Sequence, residues 1–193
     1  NGEISYNSGV PSPMGKKVYM ELPGIDYAVS FRTWNQDTKV SIPRPGKDKP
    51  VVFKKQRNKA FVDKNYFKLI EYKWLEGSGE TSLNKPGEVV LTESKAKLYF
   101  PGIPFSEIQG KEILFDDTVH ATITGIVKDI EQHTDFTFTV FISGATLEST
   151  TLKPGDWEEW NNTNSATQLF VKLSEGTSPA RIQSQVNNLY VKY

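Results

Sequence analysis

The sequence predicts an α+β fold, and three observations carry that prediction. Apolar residues alternate with polar ones along several stretches, as in Ile25, Tyr27, Val29 and Phe31, which is the pattern of a half-buried strand. Other stretches space them three and four apart, as in Ile182, Val186 and Leu189, which makes one helical stripe. Strands and helices are interspersed without regular βαβ alternation, which separates α+β from a doubly wound parallel sheet. With 193 residues, 37% of them hydrophobic, the chain suits one domain or two packed subdomains. It can bury roughly 70% of its unfolded surface and needs no covalent staples.

Taken in order, Ser12 is a good N-cap and Pro13 suits a first helical position. Met14, Val18 and Leu22 then share one helical face, and Pro23-Gly24 stops the helix. The strand from Ile25 to Phe31 follows. From Asp37 to Pro50 the chain is rich in Pro, Gly and Lys and reads as a loop or ragged hairpin, with strand resuming at Val51-Val52-Phe53. Asp63 can cap a short helix carrying Tyr66, Phe67 and Ile70. Gly77-Ser78-Gly79 and Lys85-Pro86-Gly87 are turns, and Val89-Val90-Leu91 is a buried strand. Thr92 or Ser94 can start a helix through Ala96, Tyr99 and Phe100, ended by Pro101-Gly102.

A strand-rich block comes next. Ile113 and Phe115 share a face, Asp116-Asp117 is a turn, and Val119, Ala121, Ile123 and Val127 line one face of a long strand. Phe136, Phe138, Val140 and Ile142 form the inward face of another. Residues 148–166 are polar apart from Trp157 and Trp160. Leu169, Val171 and Leu173 mark a strand, and Ser178-Pro179 opens a closing helix with Ile182, Val186, Leu189 and Tyr193 on one stripe.

Charge and composition exclude several functions. Lys+Arg and Asp+Glu both number 23, whereas a dedicated nucleic-acid binder shows a basic excess. The absence of Cys removes disulfides, thiolate nucleophiles and Cys-ligated zinc. No apolar run approaches the ~18–20 residues of a spanning helix. Asn1 is no natural start and is followed by no signal-peptide pattern. The sequence therefore reads as a processed product or excised fragment.

Catalytic signals are sparse. His133 lies in Asp129-Ile130-Glu131-Gln132-His133-Thr134-Asp135, which could offer hard ligands to a metal but matches no calcium or zinc loop spacing and suits a solvated turn between strands. His120 sits on the outer face of a strand. There is no Gly-x-Ser-x-Gly elbow. The carboxylate pairs Asp116-Asp117 and Glu158-Glu159 point apart as sequence neighbours do. Neither a phosphate-binding loop nor a dinucleotide fingerprint occurs. No catalytic, cofactor or metal residue is assigned, and the chain is read as no enzyme.

Two features could bind a partner. Lys54, Lys55 and Arg57, in a basic run reaching Lys59 with Lys47 and Lys49 nearby, could meet anionic headgroups or an acidic protein. They could equally form a solvated loop beside an edge strand, where lysines block aggregation. Trp157 and Trp160 could anchor a partner or tuck a long loop onto the domain. Asn161-Asn162-Thr163 matches a glycosylation acceptor.

From Asp63 onward an ordered series of stretches resembles the MacB-like periplasmic core domain of bacterial ABC-transporter permeases with an FtsX-type membrane region. The series begins with Asp63-Lys64-Asn65-Tyr66-Phe67 and the later Leu75-Glu76-Gly77, then Val89 through Phe100 as a strand-then-helix unit. It continues with Gly110-Lys111 before Ile113 to Phe115, and Thr122 through Ile130 as a long strand and turn. Glu175-Gly176-Thr177-Ser178-Pro179-Ala180 resembles the approach to the final helix, and Leu22-Pro23-Gly24-Ile25 the early helix exit. Residues 32–60 and 148–166 fit no such pattern.

The resemblance implies two subdomains: a porter-like, βαβ-containing one from residues 1–61 and 135–193, and a smaller inserted mixed α/β one from 62–134. It implies a periplasmic position between the first two membrane helices of an inner-membrane permease. It also implies a separate cytoplasmic ATPase, a second permease copy, and a periplasmic adaptor or lipoprotein as partners. Export or efflux by mechanical transmission follows, with no cofactor and no bond chemistry in this domain; some members instead regulate a cell-wall enzyme. Such an isolated domain is expected to be monomeric and to bind no nucleotide. The alternatives are a secreted ligand- or protein-binding module using aromatics such as Trp157, or a hydrolase built on His120 or His133.

Overall fold

The computed structural model describes residues 8–44, 46 and 49–193. In chain order the elements are α1 (Met14–Glu21), β1 (Ile25–Trp34), β2 (Thr38–Ile42), β3 (Val51–Gln56), β4 (Lys59–Val62), α2 (Tyr66–Leu69), β5 (Trp74–Glu76) and β6 (Glu88–Thr92). Then follow α3 (Glu93–Tyr99), α4 (Phe105–Ile108), β7 (Glu112–Phe115), β8 (Val119–Val127), β9 (Val140–Ser143), α5 (Gly144–Glu148), β10 (Thr167–Leu173) and α6 (Pro179–Lys192). Packing divides them into a terminal unit, Asn1–Arg32 with Pro154–Tyr193, and a central unit, Thr33–Lys153. The central unit takes in residues 62–134 and also 33–61 and 135–153.

In the terminal unit β1 pairs antiparallel with β10, from Ile25 opposite Leu173 to Arg32 opposite Thr167. Met14, Val18 and Leu22 of the α1 stripe meet Leu189 of α6 in one buried cluster, with Val186, Leu169 and Val171 packed against it. Helix α1 lies close on β1 because residue 15 is glycine: a Cβ there would stand 2.6 Å from the Ser30 Cβ. The closing helix is capped as its sequence predicts, Ser178 Oγ accepting from the Arg181 N–H at 3.3 Å with Pro179 next in line. Ser12 does not cap α1. Pro13 occupies the cap position without a side-chain bond, and the Met14 N–H donates to the Pro11 carbonyl, so a backbone turn leads into the helix.

The central unit holds a mixed sheet in the order β4-β9-β6-β8-β7-β2-β3, with β5 paired to β8. The pairs β4–β9 and β6–β8 are parallel; β9–β6, β8–β7, β7–β2 and β2–β3 are antiparallel. Strands β4 and β9 are buried at every position, as expected where both faces are covered. Helix α3 packs over β6 and β8, and α5 over β4 and β9. The turn at Asp116-Asp117 has φ of 47° and 59°, the left-handed pair that a two-residue hairpin needs and that Asp tolerates.

The 37–50 stretch is the first arm and connection of a ragged hairpin, as read: β2 pairs antiparallel with β3, with a register shift between Thr38 and Val40, and its other edge pairs with β7; Pro45, Lys47 and Asp48 lie outside the described residues. One predicted segment differs. Strand β9 begins at Val140, not at Phe136. The Phe136 N–H is taken by Thr134 Oγ1 and the Thr137 N–H by the Asp135 carbonyl, so local turn bonds replace a ladder there. The alternation of Phe136 and Phe138 therefore reflects two rings tucked inward from a turn.

Candidate functional site

The basic run forms the β3–β4 turn. Lys55 and Asn58 take positive φ, 54° and 58°, which redirects the chain between β3 and β4. Lys54 and Lys55 are exposed. Arg57 is not a free cation: its Nε is paired with Asp37 Oδ1, and this contact draws the Asp37 carboxyl below its ordinary range.

Lys59, the last cation of the run, is fully buried. Its ammonium donates to the carbonyls of Gln56 at 2.6 Å and Gln36 at 3.1 Å and stands 4.7 Å from the Trp34 ring centre. Burial is the main reason its pKa is pushed down to about 8, with Asp116 acting in the opposite direction. Two carbonyls and an aromatic face satisfy the ammonium, so Lys59 ties the turn to residue 36. Sequence reasoning missed it, because a charge run signals solvent. The available signal was the apolar Ala60-Phe61-Val62 that follows Lys59 directly.

Both tryptophans are half-buried and contact side chains of their own unit. Trp160 packs against the terminal-unit core and stacks on Tyr193, ring centres 4.7 Å apart and planes within 9°. Lys17 donates to the Tyr193 hydroxyl at 2.8 Å, that hydroxyl donates to Glu21 at 2.7 Å, and Lys192 donates to Glu21 at 2.7 Å. With Lys192 as the largest cause, these bonds hold the Glu21 carboxyl down at about 2. Trp157 is half-buried, with the Arg32 guanidinium 5.7 Å from its ring centre, and Arg32 also donates to Thr167 Oγ1 at 3.0 Å.

Among the described residues of the central unit, two concavities stand out. One, of about 310 Å³, is lined by Tyr72, Asp129, His133 and the 134–139 turn. Asp129 there is committed to capping α3, accepting from the Ser94 N–H at 2.8 Å and Ser94 Oγ at 2.6 Å. Among the described residues no group of three His, Asp or Glu stands close enough to hold a metal. His120 pairs at the surface with Glu112 at 2.5 Å, which assembles no nucleophile with a base.

The larger cavity is a groove of about 860 Å³. Its floor is the β2–β3 hairpin, through Ile42, Val51 and Phe53, and its wall is the end of α3 with the following loop, through Leu98, Phe100 and Ile103. Arg44, Lys111 and Glu112 stand at its rim. Sequence reasoning did not foresee it, because its residues come from three separate stretches.

Among the described residues no helix is long and apolar enough to cross a membrane. No curated protein matches the sequence. Solved structures do share its fold. A domain assigned to a permease protein of Porphyromonas gingivalis superposes with a TM-score of 0.72 at 15% identity, covering 96% of this chain and 78% of that one. The periplasmic region of MacB from Actinobacillus actinomycetemcomitans gives 0.68 at 13% identity, covering 97% and 75%. At such identities the likeness is one of fold. The family itself is fixed by sequence: the MacB-like periplasmic core domain profile matches residues 5–189, a family whose permeases work with ATPase partners in ABC transporters. The chain thus belongs to the MacB-like periplasmic core domain family of ABC-transporter permeases.

Proposed function

We propose that this chain is a moving, non-catalytic element of an inner-membrane ABC-transporter permease, transmitting ATP-driven conformational change into the periplasm for export or efflux. One observation carries the reading: residues near both ends of the matched family domain lie in one unit and are tied to each other. Lys192 bonds Glu21 at 2.7 Å, and the Val10 N–H donates to the Thr167 carbonyl at 3.0 Å. A displacement delivered through either end is thereby received by the same compact body. Its mechanism is a biased two-state movement, with the differential free energy supplied by a separate cytoplasmic ATPase. A second permease copy is the counterpart that moves, and a periplasmic adaptor or lipoprotein is the outer partner. In this reading the porter-like part draws on residues near both ends and the inserted part on residues 62–134.

This chain contains no cysteine, so a cysteine introduced into it is a unique labelling site within the domain, and the unsubstituted permease preparation supplies the background. Lys16→Cys in the terminal unit and, separately, Lys97→Cys in the central unit would be spin-labelled in the full permease with its ATPase in lipid discs. Distances between the two copies are measured with and without ATP-Mg. A shifted distribution at one or both sites is expected. Unchanged distributions in a preparation that hydrolyses ATP would sink the proposal. The isolated chain should show no heat on titration with ATP-Mg and should sediment as a monomer.

A further inference from the structure

We infer that the groove of the central unit binds a single-chain amphiphile with an anionic head group. The argument begins with the register of the sheet. Val40 pairs with both Phe53 and Phe115, and Ile42 pairs with Val51, so these side chains project from one face. Toward β7 that face is closed: Phe115, Val40 and Ile42 are buried. Toward β3 the cover runs out. Val51 and Phe53 are only half-buried, because α3 ends at Tyr99 and its last contact across the gap is the Tyr99 ring, 4.9 Å from that of Phe53.

The result is an apolar trough at the open end of a sheet face, walled in part by apolar side chains left partly exposed. Leu98 is 48% exposed and Ile103 is 38% exposed, both on the groove. Folding usually covers such residues; a cluster lining one concavity marks a binding surface. The volume lies within the roughly 300–1,000 Å³ of small-molecule sites.

Rim charge decides the head group. Among the described residues Arg44 and Lys111 carry no ion pair, and these two cations outnumber the one rim carboxylate, Glu112, which is hydrogen-bonded to His120. Two uncommitted cations beside an apolar trough suit a molecule with a flexible hydrocarbon body and a carboxylate, phosphate or sulfate at one end. A cationic or neutral amphiphile would leave the rim charges unmatched. This inference does not rest on the transport reading, since it concerns a site inside one unit.

The test uses the 193-residue chain and dodecanoate below its micelle concentration, followed by calorimetry. One saturable site is expected, with dodecyltrimethylammonium bound about tenfold more weakly or worse. Leu98→Asp with Ile103→Asp should weaken dodecanoate binding about tenfold or more, and Arg44→Glu with Lys111→Glu should reverse the preference between the two probes. Both pairs are at exposed or rim positions, and an unchanged thermal midpoint confirms folding. Val52→Asp, an equally exposed apolar site on the opposite face of β3, should leave binding unchanged. Non-saturable uptake, or equal loss in the Val52 variant, would overturn the inference. So would a concentration-dependent dimer that Leu98→Asp dissolves, which would assign the groove to a second copy.

Discussion

In the central unit a strand such as β9 is buried at all of its positions, whereas β10 in the terminal unit is buried only at Thr167 and is half-buried or exposed along the rest of its length. The two units therefore stand on different physics. The central unit rests on strands β4 and β9, which are covered on both faces, with Tyr66, Phe67, Tyr72 and Phe141 forming an aromatic cluster there. Burial also pushes the Tyr72 phenol up to about 12. The terminal unit has a small buried cluster of Met14, Val18, Leu22 and Leu189, with Val29, Phe31 and Ile182 also buried, reinforced by half-buried neighbours and by charge contacts at its surface. Dry packing resists salt and pH, and surface charge contacts do not. The terminal unit should accordingly open more readily, and faster amide exchange in α1 and α6 than in β6 and β9 is its signature.

The largest expected effect lies in the aromatic cluster. The Phe141 ring centre lies 5.3 to 5.4 Å from those of Phe67, Tyr72 and Tyr66. Phe141→Ala should cost about 3–5 kcal/mol in urea unfolding, with exchange protection lost across the central unit. A cost below about 1 kcal/mol would mean that the cluster does not carry that unit. Next in size is Gly125→Ala. Its new Cβ would stand 2.6 Å from Trp74 Cζ3 and 3.0 Å from Ser82 Oγ, and overpacking of this kind costs about 1–3 kcal/mol. Pairing it with Trp74→Leu should recover part of the loss, which unrelated damage to β8 would not allow.

Lys59 gives the third effect and the clearest sign. Its folded pKa of about 8 lies below the ordinary 10.5. Below pH 8 both folded and unfolded states hold the proton, and the cost of burying charge is present in full. Between pH 8 and 10.5 the unfolded state binds the proton more strongly, so stability contributed at this site rises with pH, by about 3 kcal/mol at most. Lys59→Met leaves two carbonyls without their donor and should cost about 1–3 kcal/mol near neutrality. The gap between parent and variant should widen as pH rises through that window. A gap that stays flat would show that the carbonyls and the Trp34 ring hold the proton as firmly as water does.

Legibility in the sequence follows the same division between local and distant causes. Strands β6 and β8, the Asp116-Asp117 turn and the Ser178-Pro179 cap were readable because each is decided within a few residues. The family was readable from the order of such stretches. Phe136 and Phe138 misled because a two-residue period cannot distinguish a strand from a turn that points two rings inward. Lys59 was hidden because its burial depends on Trp34 and Gln36, more than twenty residues upstream. The groove was hidden for the same reason: it exists only because the hairpin outreaches α3, which is a fact of register. Short helices α4 and α5 span 4 and 5 residues, too few for a helical period to show.

The smallest effect tests the terminal unit's dependence on charge. Glu21 has its folded pKa at about 2 against an ordinary 4.5, chiefly through the Lys192 bond and then the Tyr193 bond. A depressed carboxylate contributes stability that is complete above about pH 4.5 and is lost as pH falls toward 2. The groups are surface ones, so salt screens the Coulomb part of the effect, while the hydroxyl bond from Tyr193 is less sensitive. Glu21→Gln should flatten the acid limb of the thermal midpoint, and high salt should flatten it partly in the parent protein. Amide exchange at pH 3 should quicken in α1 and α6 while β9 keeps its protection. If β9 loses protection at the same pH as α6, the two units unfold as one, and the contrast between dry packing and surface charge does not separate them.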